Sequence, residues 1–430
     1  MIRRWLKKRI QGLSFFLLMG VCITTTAAAV FTLTTVDSPL AIPVGNTAYA
    51  TYTVTNTSGV TLPTVRFYPP ALTQIDSVGT TCGASLGVAG SCLVRLLIGP
   101  APTPGLLLLG PLEACAFGGQ LCSFSAQNQS INVNFGAAGI AYVANSGANT
   151  LSVINTASNT VIATVNIGND PQGVAITPNN ASVYTANNGG DNSTVVATST
   201  NTVATTINVG VQPQNVAVAP NAIRAYVTNN GDDTVSVINT STNTVVATIN
   251  VGAAPQGVAI SPDSTRAYVA NNGDNNVSVI NTATNTVIAT INVGTGPEGV
   301  AITPNGTRVY VVNGGDGTVS VINTGTNAVV STVTVGTEPR GVAITPNGNR
   351  AYVANRNDDT VSVIDTGTNT IITTVAVGGS PLRVAITSDG TRVYVTNSGD
   401  NTVSVINITT NTVIATINVG TTPIGIAISS

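Results

Sequence analysis

Histidine is absent from all 430 residues of this chain. Its absence removes the side chain that serves most often as a general base and as a transition-metal ligand. Charged residues make up only 7% of the chain, a composition that suits an exported protein whose solubility does not depend on charge. No window in residues 140–430 repeats its apolar residues every 3.6 positions, so we expect almost no helix there.

Lysine is missing everywhere except at the start of the chain. Five of the fifteen cationic residues lie within residues 3–9, and the rest of the chain has ten arginines against seventeen acids, a net charge of −7. This balance leaves no basic stripe for a nucleic-acid backbone, so we do not expect nucleic-acid binding. Only local arginines such as Arg340, Arg356 and Arg383 are available to contact a phosphate.

The first residues are organised like a secretory signal. The cations are followed by an apolar run from Leu13 to Ile23 and then by the small residues Ala27–Ala29. We predict a signal peptide over residues 1–29, with cleavage near Ala29 and no membrane span afterwards, because the apolar run is short for a bilayer. An uncleaved anchor and acylation at Cys22 are the alternatives. The protein is therefore expected to be exported, to the periplasm, the cell surface or the medium.

Residues 30–135 differ in composition from the rest of the chain. β-like runs such as Ser91–Ile98 and Ser130–Phe135 alternate with proline-rich breaks, and the size fits a β-sandwich. The region loosely resembles the Ig-like modules of bacterial surface proteins. An even number of cysteines in an exported domain predicts two disulfides, and the favoured pairs among three connectivities are Cys82–Cys92 and Cys115–Cys122. A four-thiolate metal site would need tighter paired spacings.

The remaining chain, 140–430, repeats one pattern. A tyrosine recurs every 42 residues without insertion or deletion, at Tyr142, Tyr184, Tyr226, Tyr268, Tyr310, Tyr352 and Tyr394. Each copy has four Val- and Ile-rich stretches separated by turn sequences such as the "PNG" of Pro304–Gly306. A period of 40 to 45 residues with four strands per copy is typical of a propeller blade, so the sequence predicts an all-β, seven-bladed β-propeller. An open solenoid is the alternative, but it would need atypical capping repeats at its ends.

Closure of the predicted ring involves both ends of the repeat region. The first copy starts at its tyrosine strand, Ile140–Asn145, and the chain ends with an unpaired strand, Ile424–Ser429. We predict that these two strands pair, which removes the open edges of the ring. Ser130–Phe135 could compete for this position, but we place it in the preceding domain, and residues 136–139, "GAAG", read as a short flexible linker.

The segments Arg224–Gly252 and Arg392–Gly420 carry the sequence "YVTN" at Tyr226–Asn229 and Tyr394–Asn397. In these residues the chain resembles the YVTN family of β-propeller repeats, found in archaeal surface-layer proteins and bacterial envelope proteins. The other five copies read "YVAN", "YTAN" or "YVVN". The resemblance covers residues 140–430 and implies seven blades and a location at or outside the membrane. Because the family motif is structural, it implies no catalytic residue and no particular ligand.

Carboxylates recur once in each copy from the second onward, in the turn after the tyrosine strand. We expect each of them to bond to the backbone of its own turn, rather than to bind calcium or catalyse, because a catalytic site is asymmetric. No metal, cofactor or catalytic residue is therefore predicted. The six acids are Asp191, Asp232, Asp274, Asp316, Asp358 and Asp400.

One position varies while the turns around it stay constant. It follows the proline that precedes each copy, and we expect its residues to share one loop face with the turn acids. Loops on a rigid scaffold often carry binding, so this position is the candidate ligand-binding site, with drift at a solvated loop as the alternative. Around the ring it is occupied by Gln172, Gln214, Gln256, Glu298, Arg340, Leu382 and Ile424, of which the first five are the predicted site residues.

These observations favour a non-enzymatic binding, adhesion or scaffold protein of the cell envelope, whose partner is a protein or a glycan. A self-assembling surface-layer component is the first alternative. A lactonase- or lyase-like propeller enzyme is the second, and it would need acids that meet at the central channel.

Overall fold

The computed structural model describes residues 139–429 in full and, before them, only the backbone of strands between Phe31 and Phe135. The predicted signal peptide, the linker up to Ala138 and the side chains of the four N-terminal cysteines lie outside the described residues, so those predictions stay predictions. The chain divides into two compact units, Met1–Ala138 and Gly139–Ser430. No helix among the described residues is long and apolar enough to cross a membrane.

The N-terminal unit contains short strands. They form the sheets β1-β3-β8-β6, β11-β10-β5, β2-β12-β9 and β4-β7, and the register of β10 and β11 places Cys115 opposite Cys122. The strands are β1 Phe31–Thr35, β2 Leu40–Ala41, β3 Ala48–Asn56, β4 Leu62–Pro63, β5 Arg66–Tyr68, β6 Thr73–Ile75, β7 Ser85–Leu86, β8 Ser91–Ile98, β9 Gly105–Leu109, β10 Glu113–Ala116, β11 Leu121–Phe124 and β12 Ile131–Phe135.

The second unit consists of seven four-stranded antiparallel sheets, which are the blades of a propeller. We number the blades by their tyrosine strands, so that blade 1 contains Tyr142. The prediction of an all-β, seven-bladed propeller is confirmed. The only helical segment in residues 139–429 is one turn of 3-10 helix, Asn188–Gly190.

The four strand positions of a blade have constant bounds around the ring. The innermost strands are β40 Pro423–Ile428 in blade 1, then β16 Pro171–Ile176, β20 Pro213–Val218, β24 Pro255–Ile260, β28 Pro297–Ile302, β32 Pro339–Ile344 and β36 Pro381–Ile386. The second strands are β13 Ile140–Asn145, β17 Ser182–Asn187, β21 Arg224–Asn229, β25 Arg266–Asn271, β29 Arg308–Asn313, β33 Arg350–Asn355 and β37 Arg392–Asn397.

The third and outermost strands of each blade also have constant bounds around the ring. The third strands are β14 Thr150–Asn155, β18 Asn192–Ala197, β22 Thr234–Asn239, β26 Asn276–Asn281, β30 Thr318–Asn323, β34 Thr360–Asp365 and β38 Thr402–Asn407. The outermost strands are β15 Thr160–Asn166, β19 Thr202–Asn208, β23 Thr244–Asn250, β27 Thr286–Asn292, β31 Ala328–Thr334, β35 Thr370–Ala376 and β39 Thr412–Asn418.

Burial changes from the axis to the rim. The second and third strands are buried on both faces, which explains their continuous apolar sequences. The outermost strands are mostly exposed; Ile162 and Val330 are 54% and 53% exposed. Apolar side chains of one blade pack against those of the next, so the core consists of seven clusters, one between each pair of blades.

Close contact between innermost strands holds the centre of the ring together. Each innermost strand lies beside the innermost strands of both neighbouring blades. Glycine permits this approach: a Cβ at Gly299 would lie 2.5 Å from the carbonyl oxygen of Arg340, and one at Gly341 would lie 2.5 Å from that of Leu382. A side chain at these positions would therefore force neighbouring blades apart unless the strands adjusted.

The C-terminal strand closes the ring, as predicted. Strand β40 pairs antiparallel with β13 and so supplies the innermost strand of blade 1. Ser429 N donates to the carbonyl of Ile140 at 2.9 Å, and Ile140 N donates to Ser429 Oγ at 2.7 Å. The competing segment pairs elsewhere, because β12 forms its ladders with β9 and β2.

Removal of residues 424–430 is expected to destabilise the whole propeller, because it exposes the edge of β13 and removes the strand that contacts both β36 and β16. We expect a large fall in the melting temperature of the truncated protein, measured by circular dichroism. An excess of a synthetic peptide of residues 421–430 should raise it again by mass action. A truncated protein that melts at the same temperature as the parent would contradict ring closure as the source of stability.

A second contact joins blades through the tyrosine that marks each repeat. The hydroxyl of Tyr394 donates to Asn159 Oδ1 at 2.7 Å, and that of Tyr352 donates to Asn411 Oδ1 at 3.0 Å; each acceptor lies in a turn of the next blade. Both asparagines have positive φ, so one residue shapes the turn and receives the bond. By contrast, the hydroxyl of Tyr268 is buried without a partner.

This difference predicts unequal effects of removing one hydroxyl. Tyr394→Phe should lower the free energy of unfolding by about 1 kcal/mol, because it removes a buried hydrogen bond between blades. Tyr268→Phe is the matched control and should be neutral or slightly stabilising, since its hydroxyl has no bond to lose. Urea unfolding of both variants measures the difference, and equal losses would show that the bond to Asn159 contributes nothing.

Candidate functional site

One end of the axis gathers the variable position that the sequence analysis singled out. Each innermost strand begins there, beside the turn between the second and third strands and the loop that arrives from the preceding blade. The predicted site residues Gln172, Gln214, Gln256, Glu298 and Arg340 are each the second residue of an innermost strand, so they occupy equivalent places in five blades. The sequence correctly placed this position next to the turn acids.

The structure brings only two of the five together. Glu298 and Arg340 form an ion pair across the boundary between blades 5 and 6. Gln172 instead donates from Nε2 to Asp170 Oδ1 at 2.7 Å. Within residues 139–429, the side chains of Gln214 and Gln256 make no hydrogen bond. The candidate site is therefore confined to one part of the ring.

The recurring turn acids are structural, although not in the expected way. Five of them accept a backbone hydrogen bond from the loop that arrives from the preceding blade, not from their own turn. Asp232 Oδ2 accepts from Val211 N at 2.6 Å, and Asp316 Oδ2 from Thr295 N at 2.6 Å. The bond from Thr295 also lowers the pKa of Asp316. Asp191 stands one residue later in its turn than the other five acids, and its Oδ1 accepts a hydrogen bond from Gln212 N at 2.9 Å.

An asymmetric charge cluster surrounds Arg340. Its guanidinium bonds to Glu298 through Nη1 and to Glu338 through Nη2. Glu338 also accepts from Arg356 Nη1 at 2.8 Å. Glu298 is buried at 7% exposure, whereas the Arg356 side chain is 41% exposed, so the cluster leads from the interior to solvent. Two acids thus meet at the axial end of the propeller, which the sequence analysis had not foreseen.

Burial and pairing compete in setting the charges of this cluster. Burial alone would raise the pKa of Glu338, but hydrogen bonds and positive charge from Arg340 and Arg356 hold that pKa below its usual value. Burial likewise opposes the charge of Arg340, yet its bonds to Glu298 and Glu338 raise the pKa of its guanidinium. Glu338 and Arg340 are therefore both charged at neutral pH.

A glycine-rich turn opens space beside these charges. Residues 314–317, "GGDG", form the turn between the second and third strands of blade 5. A Cβ at Gly314 would lie 3.5 Å from Glu298 Oε1, an ordinary van der Waals contact, so the turn lies directly beside this carboxylate. A surface cavity of about 450 Å³ is lined by this turn, by Thr337 and by Glu338. Glu338 is the member of the charge cluster that lines this open surface cavity.

Loss of a repeated hydrogen bond contributes to this opening. In most other blades an Asn or Asp at the position of Gly317 binds the backbone of the loop leading to the next blade, as Asp359 Oδ1 does for Ser380 N at 2.8 Å. Gly317 has no side chain to make the bond. The sequence analysis missed Gly314 and Gly317. The signal was glycine where the other blades carry Asn, Ser or Arg at the first position and Asn or Asp at the second.

Comparison with known families agrees with this architecture. A family described as a lactonase, 7-bladed β-propeller, matches residues 282–419, and a YNCE-like β-propeller family matches residues 112–225. The chain is a β-propeller repeat protein. The lactonase match contains the whole charge cluster and the glycine-rich turn. No curated protein matches the chain significantly.

Solved structures with this fold include several enzymes. Hydrazine synthase of Kuenenia stuttgartiensis is 23% identical, with 59% of this chain and 88% of that chain covered and a TM-score of 0.55. A putative 6-phosphogluconolactonase from Bacteroides fragilis is 16% identical over 68% and 98% of the two chains, with a TM-score of 0.60. One from Bacteroides uniformis is 15% identical over 68% and 99%, also with a TM-score of 0.60. At these identities the likeness shows the fold alone.

These findings correct the expected function. The sequence had favoured a non-enzymatic binding, adhesion or scaffold protein, because the chain lacks histidine and its turn acids repeat regularly. That expectation is wrong, since the matched family is one of lactonases and the described neighbours include enzymes. The sequence analysis named Glu298 as a candidate binding residue, but it did not show that Arg340 brings Glu298 and Glu338 together.

Proposed function

We propose that the protein is a hydrolase that opens a cyclic ester at the charge cluster of blades 5 and 6. The observation that carries this proposal is the coincidence of two features. The single cluster that joins two carboxylates to two arginines in residues 139–429 lies inside the segment that resembles the lactonase family. The substrate would occupy the cavity beside the 314–317 turn.

Lactone hydrolysis needs a base for water and a positive group for the developing oxyanion. Glu298 is the proposed base: its carboxylate is buried, and its Oε1 would lie 3.5 Å from a Cβ at Gly314, a residue that lines the cavity. It would take a proton from water while the water oxygen attacks the ester carbonyl. Breakage of the ring C–O bond then lets the leaving oxygen take a proton, which gives one hydroxy acid.

The remaining charges have supporting roles. Glu338 is bonded by two arginines, which lower the pKa of its carboxyl group. It is better suited to hold Arg340 and Arg356 in place. The exposed guanidinium of Arg356 is able to stabilise the oxyanion or an acidic group of the substrate. We therefore expect a lactone that carries a carboxylate or a phosphate.

Glu298→Gln tests this role, because it keeps the shape of the side chain and removes the base. We expect kcat/KM to fall by about 100-fold to 10,000-fold, measured by acid release in a pH-stat with δ-gluconolactone and acidic analogues. Asp389→Asn is the matched control: it makes the same chemical change at the other end of the innermost strand, where blades 5 and 6 carry Asn305 and Asn347. A parent protein that opens no lactone faster than buffer would refute the proposal.

We also propose that the protein is exported after cleavage near Ala29, that residues 30–135 form a disulfide-bonded Ig-like sandwich, and that the propeller is of the YVTN type. The support is the order of cations, apolar residues and alanines, the even cysteine count, and the two "YVTN" copies. N-terminal sequencing of protein from the native host should start close to residue 30. Recovery of the intact Met1 end inside the cell would contradict export.

A further inference from the structure

The third residue of each innermost strand separates two blades from the other five. It is glycine at Gly173, Gly257, Gly299, Gly341 and Gly425, where the innermost strands approach most closely. In blades 3 and 7 it is Asn215 and Arg383. Each of these larger side chains lies against the glycine of the preceding blade: a Cβ at Gly173 would lie 2.9 Å from Asn215 Oδ1, and one at Gly341 would lie 3.4 Å from Arg383 Cδ.

The same two blades differ at a second position. The third letter of the tyrosine motif is threonine only at Thr228 and Thr396, the two "YVTN" copies. In the five glycine blades it is an apolar residue, at Ala144, Ala186, Ala270, Val312 and Ala354. Threonine and the larger side chain thus occur together in the same blades and nowhere else in the ring.

A hydrogen-bond bridge explains why the threonine and the larger side chain occur in the same two blades. Thr396 Oγ1 accepts from Arg383 N at 3.0 Å and donates to the carbonyl of Ile424 in the next innermost strand at 2.8 Å. Thr228 Oγ1 makes the equivalent bonds to Asn215 N at 3.0 Å and to the carbonyl of Gln256 at 2.6 Å. Both threonines are fully buried. The hydroxyl therefore fixes the backbone of the unusual residue and ties it to the following blade.

Of the two larger side chains, Asn215 and Arg383, only Arg383 is charged, and it lies near the proposed site. Its Nη1 donates to the carbonyl of Arg340 at 3.0 Å. No carboxylate within residues 139–429 lies within 4.0 Å of its guanidinium. Burial lowers the pKa of Arg383, and the nearby charge of Glu298 only partly offsets this. A partly buried guanidinium without an ionic partner is a ready contact for an anion.

We infer that Thr396 is a positioning residue, which holds Arg383 beside the Glu298–Arg340 pair so that its guanidinium receives an acidic group of the substrate. This inference rests on the proposed function. Thr228 builds the same bridge in blade 3, but there it supports an uncharged amide. The structural role is therefore shared by both threonines, whereas only Thr396 orients a charge toward the candidate site.

The two bridges provide a matched experiment. Thr396→Val and Thr228→Val each remove one buried bridging hydroxyl and leave the size of the side chain almost unchanged. Similar losses of melting temperature are therefore expected. Only Thr396→Val should raise KM for an acidic lactone, by about tenfold, with kcat and the KM for a neutral lactone little changed. Thr396→Ser should restore the parent KM, because it returns the hydroxyl. Equal changes of KM in the two valine variants would overturn the inference.

A crystal structure of the Thr396→Val variant tests positioning without any activity. We expect the Arg383 guanidinium to leave the carbonyl of Arg340, while Asn215 stays in place. An unmoved Arg383 would overturn the inference even in an active enzyme. A displaced Arg383 in a protein that opens no lactone would refute the proposed reaction and leave the positioning role supported.

Discussion

Close packing between blades is the interaction on which the rest of this structure depends. A single four-stranded blade buries its second and third strands only when neighbours cover both faces, so no blade is a stable unit by itself. The apolar clusters therefore lie between blades, and the innermost strands approach so closely that five of them need glycine at their third residue. Any residue that departs from the repeat near the axis has to fit into the narrow space between the innermost strands. These residues include Glu298, Arg340 and Arg383.

The fold was predictable because the repeat is exact in length and its turn residues are explicit. A tyrosine every 42 residues and four Val- and Ile-rich stretches per copy determine the blade, and the unpaired strand at the end of the chain indicates how the ring closes. The turn acids were also correctly interpreted as structural. Their partners were missed, because the backbone groups they bind belong to a loop that lies 21 residues away in sequence.

The candidate site was only partly predictable, for a physical reason. Glu298 and Arg340 were chosen because they vary at one repeat position, and they are in contact. Glu338 and Arg356 lie at other repeat positions, and nothing in a one-dimensional comparison shows that these four residues form one chain of ion pairs. Gly314 and Gly317 contribute to the site because they have no side chains to occupy the cavity that they line. Such space becomes visible only when the neighbouring blade is in place.

Ring closure by β40 has a consequence for how the protein is made. The strands that complete blade 1 are separated by almost the entire propeller, since Ile140 and Ser429 are 289 residues apart. Contacts of such long range form slowly, and here one partner, β40, is synthesised after every other strand of the propeller. An unfinished chain has no way to complete its first blade and remains short of the stable ring. Strand β40 thus acts as a check on the completeness of the propeller, because only a chain that includes it acquires a closed and lasting ring.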